Sequence, residues 1–276
     1  TLNDGSYWPK TTDNFWQDHN ILSAAWNIND NLKTTLSLHY TYGYGYYDEF
    51  RFDNKVSKFG FDMVNEKGKP VLSDFVRQKG LDQNAAGFVY NISYNNNGWD
   101  VIGGLSAQLF WANHFGYLTY VSNPDVVKRY PALAGLNDTD FDNGHYTYYD
   151  SDAKKNDYSA FVKASKRFGE HFTIFADLQY RRVDYTTDGI NDKFVKQEDG
   201  TYKNQSLDID ENYNFFNPKF GFSYKTGNHR AYASVAMSNR EPERNNFTDN
   251  YNYPYPKAEH VNDYELGYQY SGSVFR

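Results

Sequence analysis

The sequence has no cysteine, no long apolar run and no excess of basic residues. Without cysteine there is no disulfide, no thiolate metal site and no cysteine nucleophile. No run of 18 apolar residues occurs, which excludes a transmembrane helix, and the opening residues lack the basic and apolar regions of a signal peptide. A net charge of −7 argues against nucleic-acid binding. These absences leave a water-soluble protein or a membrane β-barrel, whose strands carry a weaker hydropathy signal.

Aromatic residues are abundant in a chain that is otherwise polar. Tyr and Phe number 27 and 21, whereas hydrophobic residues make up only 39% of the sequence and the mean hydropathy is −0.85. Aliphatic residues are therefore scarce for a dense soluble core. Amphipathic rings suit surfaces with one apolar and one wet side, such as a membrane interface or a carbohydrate-binding platform.

Alternation of apolar and polar residues with a period of two runs through most of the chain and predicts an all-β fold. Nine strands are predicted, at about 19–29, 32–44, 85–95, 99–112, 157–168, 171–185, 213–225, 229–240 and 261–271. Short Asn-, Asp- and Gly-containing turns alternate with long loops, which we place at about 45–84, 113–156, 186–212 and 242–260. Short turns on one side and long extracellular loops on the other are typical of outer-membrane barrels.

The residue pattern within single strands supports a membrane location. Trp99 and Trp111 lie on one face of the fourth predicted strand, separated by roughly 40 Å at about 3.3 Å per residue. Tilted by about 40°, this distance projects to roughly 30 Å, near the apolar band of a barrel with its aromatic girdles. In the sixth strand an apolar face opposes a polar face that carries Thr173, Asp177, Gln179 and Arg181. The sequence therefore predicts an antiparallel transmembrane β-barrel.

The end of the chain carries a more specific signal. The segment SNREPERNNFTDN is followed by YPKAEH and then by DYELGYQY. In this order and spacing, the segments resemble the late-barrel signature of TonB-dependent outer-membrane receptors. The residues that carry the resemblance are Arg240, Pro242, Arg244, Pro256, Glu259, Tyr264, Glu265, Leu266 and Gly267. We expect the two arginines to pair with Glu241, Glu243 or Glu265, with solvated surface charges as the alternative.

The resemblance implies the domain organisation. Receptors of this family carry a plug domain, a TonB box and twenty-two strands. The alternating architecture extends over residues 1–276, which therefore correspond to about nine strands of a single barrel domain, with no plug or TonB box in this chain. The Tyr- and Asn-rich style is similar to receptors of Bacteroidetes-type bacteria. We expect the chain to be a later part of such a barrel.

The resemblance also implies the function. It predicts an integral protein of the bacterial outer membrane that takes up a scarce solute in a ligand-gated, TonB-energised manner. The solute is expected to be an iron chelate (siderophore), haem, cobalamin or an oligosaccharide. The implied partners are outer-membrane lipid, the TonB complex through a plug or TonB box, and a surface lipoprotein. A passive porin or adhesin-type barrel, or a secreted carbohydrate-binding protein, remains as the alternative.

No catalytic or metal-binding constellation is present in the sequence. The seven histidines lack HExxH or paired metal spacing, so we expect no enzyme, no cofactor and no metal. Residues 138–144 resemble a calcium loop, but Tyr149 stands where the bidentate Glu would be. Tyrosine offers a stacking face and a hydroxyl, so aromatic residues of the long loops are candidate ligand contacts, with an aromatic girdle as the alternative. The candidates are Tyr46, Tyr47, His145, Tyr146, Tyr148, Tyr149, Tyr253 and Tyr255.

Overall fold

The chain forms one nine-stranded antiparallel sheet in which each strand pairs with its neighbours in sequence. The computed structural model describes residues 7, 13–138, 144–249 and 255–272. The strands are β1 Asp13–Asn29, β2 Leu32–Lys55, β3 Leu72–Asn96, β4 Trp99–Val121, β5 Tyr146–Phe168, β6 Phe172–Lys196, β7 Tyr202–Thr226, β8 His229–Arg240 and β9 Glu259–Tyr270. The predicted all-β antiparallel barrel fold is confirmed as the wall of a partial barrel.

Within the described residues, helical structure is limited to short segments in the connections. These are α1 Pro124–Arg129, α2 Arg244–Thr248 and two 3₁₀ turns at Val56–Phe59 and Pro131–Leu133. In the described part of the chain, none of the helices has the length and apolarity needed to cross a bilayer.

The four short turns lie where the sequence predicts them, at the β1–β2, β3–β4, β5–β6 and β7–β8 junctions. Three of them place a glycine at positive φ, namely Gly98, Gly169 and Gly227. Glycine adopts this conformation without a steric penalty. The residue types in these short turns therefore set the register of each hairpin.

The long loops are shorter than the sequence predicts. Their predicted bounds, 45–84, 113–156, 186–212 and 242–260, are corrected to 56–71, 122–145, 197–201 and 241–258. The strands continue because backbone pairing does not need an apolar face. Above the apolar belt, for example, Asp152 pairs with Asp188 and Asp188 with Asp208. Such rows lack the alternation that marks a membrane strand, so the sequence pattern ends before the strand does.

The two faces of the sheet differ in polarity near the short turns. One face exposes apolar side chains, among them Leu22, Leu105, Val162 and Phe220. Leu266 on β9 is 88% exposed. The other face carries charged residues, as predicted for a barrel lumen. We call these the lipid-facing face and the luminal face.

A small hydrophobic core fills the luminal face beyond the apolar belt. Residues 56–71 and 122–138 of the two connections fold against the upper parts of β3, β4 and β5. We call this cluster the loop core, and its buried members are Val56, Phe59, Phe61, Phe75, Leu118, Val121, Val126, Leu133, Leu136, Tyr148 and Tyr149. The loop core gives both connections a fixed structure, because each buries apolar side chains that a free loop would expose.

The β6–β7 hairpin also contacts this region. Phe194 packs against the loop core, and its ring occupies the space beside Gly60, whose φ is +90°. Lys79 on β3 forms a 2.7 Å ion pair with Asp192. The hairpin is thus joined to a strand three positions away in the sheet.

The β7–β8 ladder is much shorter than β7 itself. It ends at the pair Lys219 and Ala236. The next residue of β7 towards the rim is Pro218, which has no N–H to donate to a neighbouring strand. Beyond this point Asn239 donates from its side chain to the carbonyl of Phe216, and the chain then leaves the sheet at Arg240.

Candidate ligand-binding site

The segment that follows β8 folds back onto the luminal face of the sheet. Phe247 is buried against Leu207 and Ile209 of β7, with Tyr185 of β6 beside it. Glu241, at the start of the segment, is only 7% exposed. Residues that the sequence assigns to an extracellular loop therefore form part of the luminal wall.

Glu241 lies in the connection beyond β8 and accepts hydrogen bonds from two cationic side chains. Lys155 Nζ donates to its Oε1 at 2.6 Å, and Arg181 Nη1 donates to its Oε2 at 2.8 Å. Arg181 also binds Asp157 at 2.5 Å. Burial raises the pKa of Glu241, but the bonds from Lys155 and Arg181 outweigh it and lower the pKa to about 2. These four residues form a charge network that fixes the segment to the wall.

Next to this network lies a cavity of about 430 Å³. Its lining comes from β4, β5, β6, the last residue of β8 and the segment after β8. It consists of Phe110, His114, Ala153, Lys154, Lys155, Tyr185, Arg240, Glu241, Pro242, Glu243 and Arg244. We call it the luminal cavity. Register places His114 and Tyr185 there, since β4 pairs with β5 and β5 with β6.

Arg244 is the half-buried cation of the luminal cavity. Its Nη2 donates to Ser151 Oγ at 3.1 Å, whereas its buried Nε has no acceptor, and the buried hydroxyl of Tyr185 also makes no hydrogen bond. Burial and the nearby Arg244 lower the pKa of His114 to about 4, so its neutral ring still offers one N–H donor. Several hydrogen-bond donors around this cavity therefore lack acceptors. They suit an oxyanion ligand, because leaving a buried donor unpaired costs free energy.

The titration of His114 gives a testable consequence. Its folded pKa of about 4 lies below the ordinary 6.5, so between these values the unfolded chain binds a proton that the folded chain does not. The free energy of unfolding should therefore fall as the pH decreases from 6.5 to 4. We expect His114→Asn to flatten this slope in denaturant titrations at stepped pH, whereas the exposed His145→Asn should keep it. Equal slopes for His114→Asn and wild type would contradict the assignment.

The predicted loop aromatics are distributed over several environments. Tyr46 and Tyr47 lie on β2, where Tyr47 is 45% exposed. His145 is exposed and stacks on Tyr117, with ring centroids 3.8 Å apart. Tyr146 packs against the loop core. None of these four lines the luminal cavity.

Tyr148 and Tyr149 are buried in the loop core instead of being presented to solvent. Burial raises the pKa of both phenols. Tyr255 is exposed, with its ring edge-on to Phe247, and Tyr253 lies outside the described residues. A contact role for the exposed aromatics stays a prediction, while the two buried tyrosines serve packing.

The motif residues before β9 have separate roles in the fold. Pro242 and Arg244 line the luminal cavity. Arg240 pairs with Glu243 at 2.7 Å and approaches Glu259 at 3.9 Å. Of the expected partners, Glu241 is bound by Lys155 and Arg181 instead. Pro256 lies in the connection just before β9.

The residues of the DYELG motif on β9 alternate between the two faces of the sheet. Tyr264 and Leu266 are exposed on the lipid-facing side. Glu265 accepts a hydrogen bond from Ser234 Oγ at 3.0 Å. A Cβ on Gly267 would overlap the ring of Tyr232, its directly opposed partner on β8. The glycine therefore makes room for an aromatic ring on the luminal face.

No group of three or more His, Asp or Glu side chains suited to a metal ion occurs within the described ranges. The Asp140 and Asp142 positions of the calcium-loop candidate lie outside them. Sequence reasoning did not identify Lys155, Arg181 or Tyr185 as site residues. They meet only through cross-strand register, which leaves no local motif.

Comparison with known proteins yields one family and several structures. The family model described as "TonB dependent receptor-like, beta-barrel" matches residues 1–276. The copper transporter OprC superposes with a TM-score of 0.62 at 14% identity, covering 94% of this chain and 37% of that one. The closed form of the ferric-catecholate import receptor Fiu from E. coli K12 superposes with a TM-score of 0.62 at 14% sequence identity. The match covers 98% of this chain and 40% of that one. The ferric citrate transporter FecA superposes with a TM-score of 0.57 at 13% sequence identity. The match covers 94% of this chain and 33% of that one.

These structures share the fold at low sequence identity, and this chain spans about two fifths or less of their length. No curated protein matches the sequence.

Proposed function

We propose that this chain, which belongs to the TonB-dependent receptor-like β-barrel family, forms part of a transporter that takes up an anionic solute. Members of this family are integral outer-membrane proteins, and this chain is part of the membrane-spanning wall. Its proposed role is to bind the solute in the luminal cavity during TonB-energised uptake. A carboxylate-bearing iron chelate fits this chemistry better than a neutral oligosaccharide.

Arg244 is the observation that carries the proposal. Its guanidinium has a buried Nε without an acceptor, whereas the neighbouring Lys155 is bound to Glu241. A carboxylate accepts two parallel N–H bonds from an arginine, and such charge-assisted bonds are about twice as strong as neutral ones. A neutral sugar would leave the positive charge of Arg244 uncompensated.

Energy coupling and partners complete the proposal. TonB would act through a plug domain, and outer-membrane lipid surrounds the wall. A surface lipoprotein that delivers solute to the exposed Tyr47, His145 and Tyr255 is compatible with their location. We propose no enzymatic role, because the luminal cavity offers donors and cations rather than a paired nucleophile and base.

Substitution of Arg244 tests the ligand class. We expect Arg244→Ala to weaken equilibrium binding of ferric citrate, the probe, by about 10- to 100-fold, the equivalent of one or two charged hydrogen bonds. Arg244→Lys should recover only part of the affinity, since lysine lacks the planar fork. Binding to the purified full-length protein is measured by tryptophan and tyrosine fluorescence.

Arg182→Ala is the matched control, because its exposed side chain pairs with Asp184 and does not line the luminal cavity. It should leave the affinity unchanged. Binding of a neutral maltooligosaccharide with no effect of Arg244→Ala would contradict an anionic solute. It would favour the oligosaccharide alternative instead.

A further inference from the structure

A groove with a volume of about 780 Å³ lies on the lipid-facing face of the described chain. It runs from the start of β4 across β5, β6, β7 and β8 near the short turns. Its principal lining residues are Trp99, Ala164, Lys166, Phe172, Ala176 and Phe222. We call it the wall groove. It lies among paired strands, away from the outer edges of β1 and β9.

The wall groove exists because small residues oppose each other across strands. Ala164 on β5 is directly opposite Ala176 on β6, and Ala233 on β8 is opposite Phe222 on β7. The alanines form the floor, while the rings of Phe220 and Phe222, about half exposed, stand beside it. The surface is therefore concave over the alanines.

One cation lies at the end of the wall groove nearest the turns. Lys166 Nζ is 5.0 Å from the centroid of the Trp99 ring and donates to the carbonyl oxygen of Asn97 at 2.6 Å. No carboxylate of the described residues forms an ion pair with Lys166. An ammonium has three donors, so two of them are available to a ligand. The Asn97 turn belongs to the short-turn side, which faces the periplasm in such barrels.

We propose that the wall groove is a binding site for one anionic phospholipid of the periplasmic leaflet. An acyl chain lies over the alanine floor, and the phosphate accepts hydrogen bonds from Lys166. The apolar part gives little selectivity, because any lipid tail is as apolar as the groove. Selectivity comes from the net charge of the head group, since basic sites at the membrane interface bind anionic head groups. This inference depends on the membrane location and is independent of the transported solute.

Native mass spectrometry of the full-length protein in detergent tests the proposal. The probes are phosphatidylglycerol and phosphatidylethanolamine, added at equal concentration. Wild type should retain one phosphatidylglycerol about tenfold more strongly than phosphatidylethanolamine, a difference of about 1.4 kcal/mol. Lys166→Gln should abolish this preference, and Ala176→Leu, which fills the floor, should reduce retention of both lipids.

Two variants serve as matched controls. Lys225→Gln removes a lysine at the same end of the barrel but in a separate, luminal pocket, and Ala107→Leu enlarges an alanine of β4 that does not line the wall groove. Both should behave as wild type, and circular dichroism checks that every variant is folded. Equal retention of the two lipids by wild type would overturn the proposal. An effect of Lys166→Gln without one of Ala176→Leu, or the reverse, would also overturn it.

Discussion

Tyr148→Ala should destabilise the long-loop end of the barrel wall by about 3–5 kcal/mol, the usual cost of truncating a buried aromatic residue. Tyr148 is only 2% exposed, and its ring contacts Phe59 edge-on at 5.2 Å. Hydrogen exchange measured by mass spectrometry should show faster exchange in residues 56–71 and 122–145, the two connections that share the loop core. Tyr47→Ala, at an exposed position, should leave that exchange unchanged.

A second substitution tests the same packing without removing any side-chain atom. A Cβ at Gly116 would overlap the rings of Tyr148 and Tyr149, whereas one at Gly103 on the same strand would meet neighbours at ordinary contact distances. Gly116→Ala should therefore open the loop core, at a cost of about 1–3 kcal/mol for overpacking. Gly103→Ala is its control. If exchange in the connections were the same in both variants, the loop core would not hold them.

Arg181→Met should be the second large perturbation, because it leaves the Glu241 and Asp157 carboxylates near each other with Lys155 as the remaining cation. Removing one member of a buried ion pair costs about 3–5 kcal/mol. The side chains of Arg181 and Asp157 are 22% and 25% exposed, so we expect about 2–4 kcal/mol. The denaturant midpoint of the full-length protein measures the loss.

Adding Glu241→Gln to Arg181→Met should restore part of the stability, since it removes one of the two facing carboxylates. A double-mutant cycle with no coupling between positions 181 and 241 would show that the charge network does not act as a unit.

The same network makes stability depend on pH. Glu241 has a folded pKa of about 2 against an ordinary 4.5. Its contribution is therefore present above pH 4.5 and is lost as the pH falls from 4.5 to 2. Arg181→Met should raise the folded pKa and move the loss to higher pH, and Glu241→Gln should remove it. If Glu241→Gln lost stability between pH 4.5 and 2 as wild type does, this account would be contradicted.

The apolar belt and the hairpin turns could be predicted from the sequence, because each leaves a local signal. Alternation along β4 between Trp99 and Trp111 reflects the two environments of a membrane strand. The full strand lengths could not be predicted. Polar rows such as Asp152 and Asp188 remain paired through the backbone, and the sequence does not distinguish them from a loop.

The candidate site was only partly predictable for a related reason. Arg244 and Pro242 belong to a contiguous motif, and both line the luminal cavity. His114 and Tyr185, by contrast, come from different strands and meet through register. Tyr148 and Tyr149 look like loop aromatics in the sequence, but two connections fold over them, and such long-range packing has no signature near either residue.

The early end of β8 gives the long-loop edge of the described wall an oblique outline. Strand β7 has 25 residues and β8 has 12, lengths of roughly 80 and 40 Å at about 3.3 Å per residue. The paired wall therefore steps down by several nanometres at Pro218, close to the segment that carries Arg244. Within the described part of the wall, the paired strands are therefore shortest at β8 and β9, beside the segment that carries Arg244.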